Sequence, residues 1–181
     1  VYPSPTGKYI MWYDRKAREY FIWDGSSVKN ISEKIRPAMW NEEFDSPDEP
    51  NNYGVMGWHE GDSAVYVYDR YDIWAVPLSD GSAPRNMTGN GRATKTTYRY
   101  LRLNEDERSI ANGQDAYFTS FNNETKEYWL LTGRIMEMVT SPKNITGGKY
   151  TCELYSKARN AGTLIYTKQN FSQSPNIYVN D

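Results

Sequence analysis

Few residues in this chain carry side chains that bond-breaking chemistry uses. There is one histidine, His59, and one cysteine, Cys152. A histidine base needs a serine or cysteine nucleophile within hydrogen-bond reach and an acid to orient it. His59 stands in the run GWHEGD, which holds no serine or cysteine, and reads as a turn residue. A lone cysteine excludes an internal disulfide and a cysteine-based zinc cage. Neither a catalytic residue, a metal site nor a cofactor is expected.

The carboxylates are more concentrated. Residues 41–52, NEEFDSPDEPNN, carry Glu42, Glu43, Asp45, Asp48 and Glu49 and no basic residue. Clustered carboxylates can hold Ca²⁺ or a free amine, although a solvated acidic loop is the simpler reading. A second polar group, Asp69, Arg70, Tyr71 and Asp72, reads either as a ligand-facing cluster or as an aspartate-stabilised turn. Asn30, Asn86, Asn123, Asn144 and Asn170 each begin an N-x-[ST] sequon. Asn30 and Asn86 fall where strands are expected to end, so a turn explains them better than glycosylation does.

Lys and Arg number 21 against 23 Asp and Glu, a formal charge of −2, which gives no basic field for nucleic acid. No apolar run approaches the ~20 residues of a membrane helix. Sixteen Tyr and six Trp make the composition lean towards β structure.

The elements that must position these residues come from an internal repeat. SPTGKYIMWYD (4–14) aligns without a gap on HEGDSAVYVYD (59–69), and DGSSVKNIS (24–32) aligns on DGSAPRNMT (80–88). Weaker copies are NEDERSI (104–110) and AGTLIYTK (161–168). A spacing of about 45–55 residues fits four short strands with their connections, one propeller blade. In the second unit the strands fall at 55–58, 64–69, 72–78 and 84–88, with Asp80-Gly81 in a tight turn. The third unit is expected at 97–103, 116–122, 127–132 and 135–139, and the fourth at 149–155, 163–167 and 176–179. Gly25 and Gly81 should occupy equivalent turns, and Trp12 and Val67 equivalent strand positions. The stripes Tyr9, Trp12, Tyr13, Trp23, Tyr66, Tyr68 and Trp74 read as packing between neighbouring sheets rather than sugar stacking.

The fold expected is all-β: a partial β-propeller of about four blades of four-stranded antiparallel sheets. The chain forms a single fragment over 1–181, with blades at 1–32, 55–88, 97–146 and 149–181, the last incomplete. The first unit has only residues 1–3 for its first strand, so both ends are expected to expose sheet faces and to drive self-association.

The pattern S-P-x-G-K-Y-I, then D-G-S and N-[IM]-[ST], resembles TolB-like propeller repeats. Residues 50–92, with YGVMGW and VYVYDRYDIW, and the later SFNNETKEY and QNFSQSPNIYVND, resemble the N-terminal propeller of exported bacterial peptidases of the prolyl oligopeptidase family. That resemblance implies a periplasmic or otherwise exported protein whose propeller caps the active site of a C-terminal α/β-hydrolase domain and admits short peptides. Members of that family carry a G-x-S-x-G nucleophile elbow followed by Asp and His. No G-x-S-x-G stands in this sequence, so the implied role is a non-catalytic section of such a serine peptidase. Some dipeptidyl members hold the substrate N-terminus with adjacent glutamates, and Glu42-Glu43 is such a pair in type, though its surroundings do not match. Glu42, Glu43, Arg70 and Tyr71 are the candidate substrate-binding residues, for a peptide substrate. The alternative is a TolB-like module that binds proteins or glycans in the bacterial envelope.

Overall fold

A computed structural model of the chain describes residues 1–78, 81–135 and 142–180. It is mostly β, in four antiparallel sheets whose strands follow one another in chain order. The first sheet holds β1 (Tyr2–Pro3), β2 (Ile10–Asp14), β3 (Glu19–Trp23) and β4 (Val28–Asn30). The second holds β5 (Val55–Trp58), β6 (Ala64–Tyr68), β7 (Ile73–Pro77) and β8 (Arg85–Asn86). The third holds β9 (Thr96–Leu101), β10 (Gln114–Asn122), β11 (Tyr128–Ile135) and β12 (Lys143–Gly148). The fourth holds β13 (Thr151–Lys157), β14 (Leu164–Asn170) and β15 (Gln173–Asn180). A short helix, α1 (Gly91–Thr94), and a 3₁₀ turn at Glu60–Asp62 interrupt the meanders. No helix among the described residues is long and apolar enough to cross a membrane.

The sequence repeat is a repeat of register. Trp12 lies opposite Phe21, which lies opposite Asn30; in the second sheet Val67 lies opposite Trp74, which lies opposite Asn86. Gly25 and Gly81 both have positive φ, 95° and 71°, as a turn after the third strand requires. In the first of these turns the Asp24 carboxylate accepts from the backbone N–H of Ser27 and Ser26 and from Lys29 Nζ, which holds its pKa far below the usual carboxylate range. Asp80, its counterpart, lies outside the described residues.

Small polar side chains close the strand ends. Asn30 Oδ1 accepts from the N–H of Ser32 and Glu33, and Asn86 Oδ1 accepts from that of Thr88 and Gly89. The hydroxyl two residues on then turns back to the third strand: Ser32 Oγ accepts from Tyr20 N, and Thr88 Oγ1 from Ile73 N. These two sequons are therefore turn and clasp, because Asn supplies the acceptor and Ser or Thr reaches the backbone next door. The second strand of every sheet likewise ends on Asp or Asn or is followed directly by it. Asp14, Asp69, Asn122 and Asn170 each accept a backbone N–H two or three residues further on.

Alternation then decides the packing. Along β6, Val65 and Val67 point towards the first sheet, into a core with Met11, Tyr20 and Ile22. Tyr66 and Tyr68 point the other way, into a core with Phe118, Ala116 and Leu131 of the third sheet. Leu130 of that sheet packs with Cys152, Leu164 and Tyr166 of the fourth. Each fully buried aliphatic side chain contributes ~1.5–3 kcal/mol, so the second sheet, buried on both faces, is the thermodynamic centre. Turns also join across sheets: Thr6 donates to Asp62 Oδ2, and Ile110 N donates to Trp58 O at 2.8 Å.

The strand limits expected from sequence hold best in the second sheet. In the third, Ile135 closes β11, residues 136–139 lie outside the described residues, and the fourth strand is β12 instead. β12 ends on the pair Gly147-Gly148. A Cβ at Gly147 would sit 2.2 Å from Tyr128 O, so glycine is what lets β12 run this close to β11.

Ile73→Ala should cost about 2–5 kcal/mol of unfolding free energy, because Ile73 is wholly enclosed, whereas Val28→Ala should change it by about 0.5 kcal/mol or less. Urea denaturation followed by tryptophan fluorescence measures both. Burial also pushes the Tyr66 phenol up to about 12 and raises Tyr20. An unfolded tyrosine ionises near pH 10, so above that the unfolded state gains stability that the folded state does not. The urea midpoint should therefore fall between about pH 10 and 12 and be unaffected by these groups below about pH 9.

Candidate functional site

The most heavily built polar group sits at the β6–β7 turn and the segment after β8. Asp69 is fully buried: Oδ1 accepts from Tyr71 N and Asp72 N, each at 2.6 Å, and Oδ2 accepts from Trp74 Nε1 at 3.0 Å. Asp72, also buried, accepts from Thr88 Oγ1 at 2.5 Å, Gly91 N at 2.9 Å and Arg92 N at 3.2 Å. The two aspartates thus fasten the β6–β7 turn to the start of α1. That attachment fixes where Arg92 and Lys95 stand.

Tyr71 lies buried at the centre. Arg70 and Arg92 each stand 5.2 Å from its ring centre and Lys95 5.8 Å, three cations gathered on one aromatic ring. The acidic segment closes over them. Glu42 receives Arg92 through both oxygens, at 3.3 and 3.0 Å, and Glu43 receives Arg70 at 2.5 Å. Burial works against the Arg92 charge, but Glu42 and the nearby Asp69 outweigh it and hold its pKa above the ordinary value. Arg99 lies 4.6 Å from the Tyr68 ring and donates to the carbonyls of Tyr98, Asp69 and Arg70; burial lowers its pKa.

The other end of residues 41–52 is tied to the first sheet. Arg15, in the β2–β3 turn, donates to Asp48 at 2.7 Å and to Glu49 O, while Arg18 pairs with Glu49 at 3.3 Å and lies over Trp40. The segment is a strap across two neighbouring turns, with Glu42, Glu43, Asp48 and Glu49 each matched to an arginine. Exposed pairs of this kind contribute under about 1 kcal/mol each.

All four residues singled out from sequence, Glu42, Glu43, Arg70 and Tyr71, come together here. Sequence reading missed Arg92 and Lys95, which Asp72 brings in by pinning α1, and Arg99, which β9 presents to the carbonyls of Asp69 and Arg70; the run GNGRATK after the repeat carried a signal of charge but not of place. The carboxylates of Glu42 and Glu43 already have cationic partners, so an incoming amine would compete with two arginines for them. What the arrangement offers a ligand is exchange of charged partners over an aromatic floor.

The residues with nucleophilic or basic chemistry lie elsewhere. His59 Nδ1 is 2.9 Å from the Tyr66 hydroxyl, and His59 bridges to Ile110 through its backbone. The Cys152 thiol is buried between the third and fourth sheets, and burial pushes its pKa up, away from the reactive thiolate. Among the described residues no group of three or more His, Cys, Asp or Glu side chains is placed to hold a metal ion.

Asp69→Ala should destabilise the protein by about 3 kcal/mol or more, since it leaves two buried backbone N–H groups and the half-buried Trp74 indole N–H without their acceptor. Glu43→Ala should change stability by about 1 kcal/mol or less. Parallel urea titrations give the comparison directly.

No protein-family model, curated protein or solved structure matches this chain.

Proposed function

We propose that the chain is a section of a β-propeller that serves, without catalysis of its own, as the capping and substrate-selecting part of an exported serine peptidase of the prolyl oligopeptidase family. The observation that carries this reading is the packing of four antiparallel meanders in chain order, face against face, the first two sharing one register. Such stacking is how propeller blades bury both faces of each sheet. The resemblance of YGVMGW and VYVYDRYDIW to peptidase propellers supplies the parent and its exported location. In this role the strap and the Arg70–Tyr71–Arg92 floor meet a peptide's charged ends. An amino terminus competes for Glu42 and Glu43, and a carboxylate competes for the arginines.

The pairing of Glu42 and Glu43 with arginines favours a second reading, a TolB-like docking module in the bacterial envelope that holds a protein surface rather than a peptide terminus. The encoded reading frame beyond Asp181 separates the two. G-x-S-x-G followed by Asp and then His is expected under the first, and further repeats without that elbow under the second.

The chain itself should release no p-nitroaniline from alanyl-prolyl or glycyl-prolyl p-nitroanilide above the buffer rate. Turnover that stays at constant specific activity through removal of contaminating enzymes, whether His59→Ala abolishes it or not, would overturn the non-catalytic assignment.

A further inference from the structure

Successive turns of a meander lie at opposite ends of its sheet, so the C-terminal ends of β3 and β7 stand away from the β2–β3 and β6–β7 turns that the strap crosses. At that far end the first two sheets are unequal. β4 runs beside β3 as far as Trp23, whereas β8 pairs only with Trp74 and Ala75 and leaves Val76 and Pro77 without an outer strand among the described residues. A cavity of about 580 Å³ lies there, within the ~300–1,000 Å³ of small-molecule sites.

Its floor is the end of the core between the two sheets. Tyr9, Ile22 and Val76 are buried members of that core, and Ile31 and Leu78 are half-buried beside them. Backbone hydrogen bonds fix both walls: Ile31 N donates to Tyr20 O and Leu78 N to Ser63 O, each at 2.9 Å. The rim carries four charges. Asp24 and Lys29 pair with each other at 3.0 Å and close one side. Glu33 and Lys34 are exposed and have no ion-pair partner among the described residues. Their backbone is nonetheless anchored on both sides, because Glu33 N donates to Asn30 Oδ1 and Ile35 is buried in the core.

An apolar floor under one free carboxylate and one free ammonium selects a class of ligand. A neutral amphiphile would crowd both charges and answer neither, and desolvating an unanswered charge is costly. An anionic amphiphile would answer Lys34 and be repelled by Glu33, and a cationic one the reverse. A zwitterion answers both. We propose that this cavity binds free dipeptides with apolar side chains, the ammonium on Glu33, the carboxylate on Lys34 and the side chains against Tyr9, Ile31 and Leu78. At about 580 Å³ it has room for two such side chains. The site is separate from the strap, and the inference stands whether or not the parent is a peptidase.

Isothermal titration with leucyl-leucine tests it, alongside leucyl-leucine amide, which lacks the carboxylate, N-acetyl-leucyl-leucine, which lacks the ammonium, and glycyl-glycine, which lacks the side chains. Leucyl-leucine should bind one per chain, each blocked form about tenfold or more weaker, as loss of a hydrogen bond between charged groups implies, and glycyl-glycine not measurably. Lys34→Gln should weaken leucyl-leucine by a similar factor without changing the affinity for the amide. Glu33→Gln should do the same without changing that for the N-acetyl form. Both positions are exposed, so both variants should keep the wild-type circular dichroism spectrum. In amide proton–nitrogen spectra leucyl-leucine should shift residues 31–34, Val76 and Leu78. No binding, equal affinity for the blocked forms or for glycyl-glycine, or shifts confined to Glu43, Arg70 and Arg92 would overturn the proposal; the last would instead favour peptide capture at the strap.

Discussion

Two-sided burial of the second sheet is the constraint on which the rest of the molecule depends. A strand that must be apolar on both faces cannot show the simple inside–outside alternation of a sheet wetted on one side. β6 meets this by alternating small and large side chains: Val65 and Val67 fit against Met11 and Ile22, while Tyr66 and Tyr68 fill the wider space towards Phe118 and Leu131. Tyrosine also brings a hydroxyl that needs a partner when buried. Tyr66 finds His59, and Tyr68 accepts from Tyr100 N at 3.2 Å. The aromatic richness of the sequence is thus a packing requirement with polar ends satisfied.

With both faces committed to packing, polar chemistry is displaced to the turns. There Asp and Asn do structural work in every sheet, closing the second strand through a backbone hydrogen bond. In the second sheet this device is extended furthest towards the charged cluster. Asp69 and Asp72 reach beyond their own turn, gather Trp74, Thr88 and α1, and so bring three cations to Tyr71. The strap of residues 41–52 supplies the matching negative charge. The charged cluster and the packed sheets are coupled in one direction: the sheets hold the aspartates, and the aspartates place the arginines.

Much of this was legible in the sequence, for identifiable reasons. The strands of the second unit were readable because its turns carry Asp-Gly and Asn-x-Thr at positions that recur in the first unit. Gly25 and Gly81 share the positive φ that this alignment implies. The Glu42–Glu43 and Arg70–Tyr71 groups were visible as charge and aromatic clusters, yet their mutual contact was not, because it spans long loop separations with no periodicity. β12 escaped because its Gly147-Gly148 has the composition of a turn; only the close approach to Tyr128 explains why glycine stands in a strand. The arginine side of the site was hidden for a similar reason, since Arg92 is placed by Asp72 through backbone hydrogen bonds that leave no trace in spacing.

Amide hydrogen exchange tests the central claim most directly, because it reads local stability strand by strand. If two-sided burial of the second sheet organises the molecule, the amides of Val65–Tyr68 and Ile73–Val76 should exchange slowest of all. Those of β4 and β15, at the edges of the two outer sheets, should exchange fastest among the strands. Equal protection across the four sheets, or slower exchange in β15 than in β6, would contradict the account.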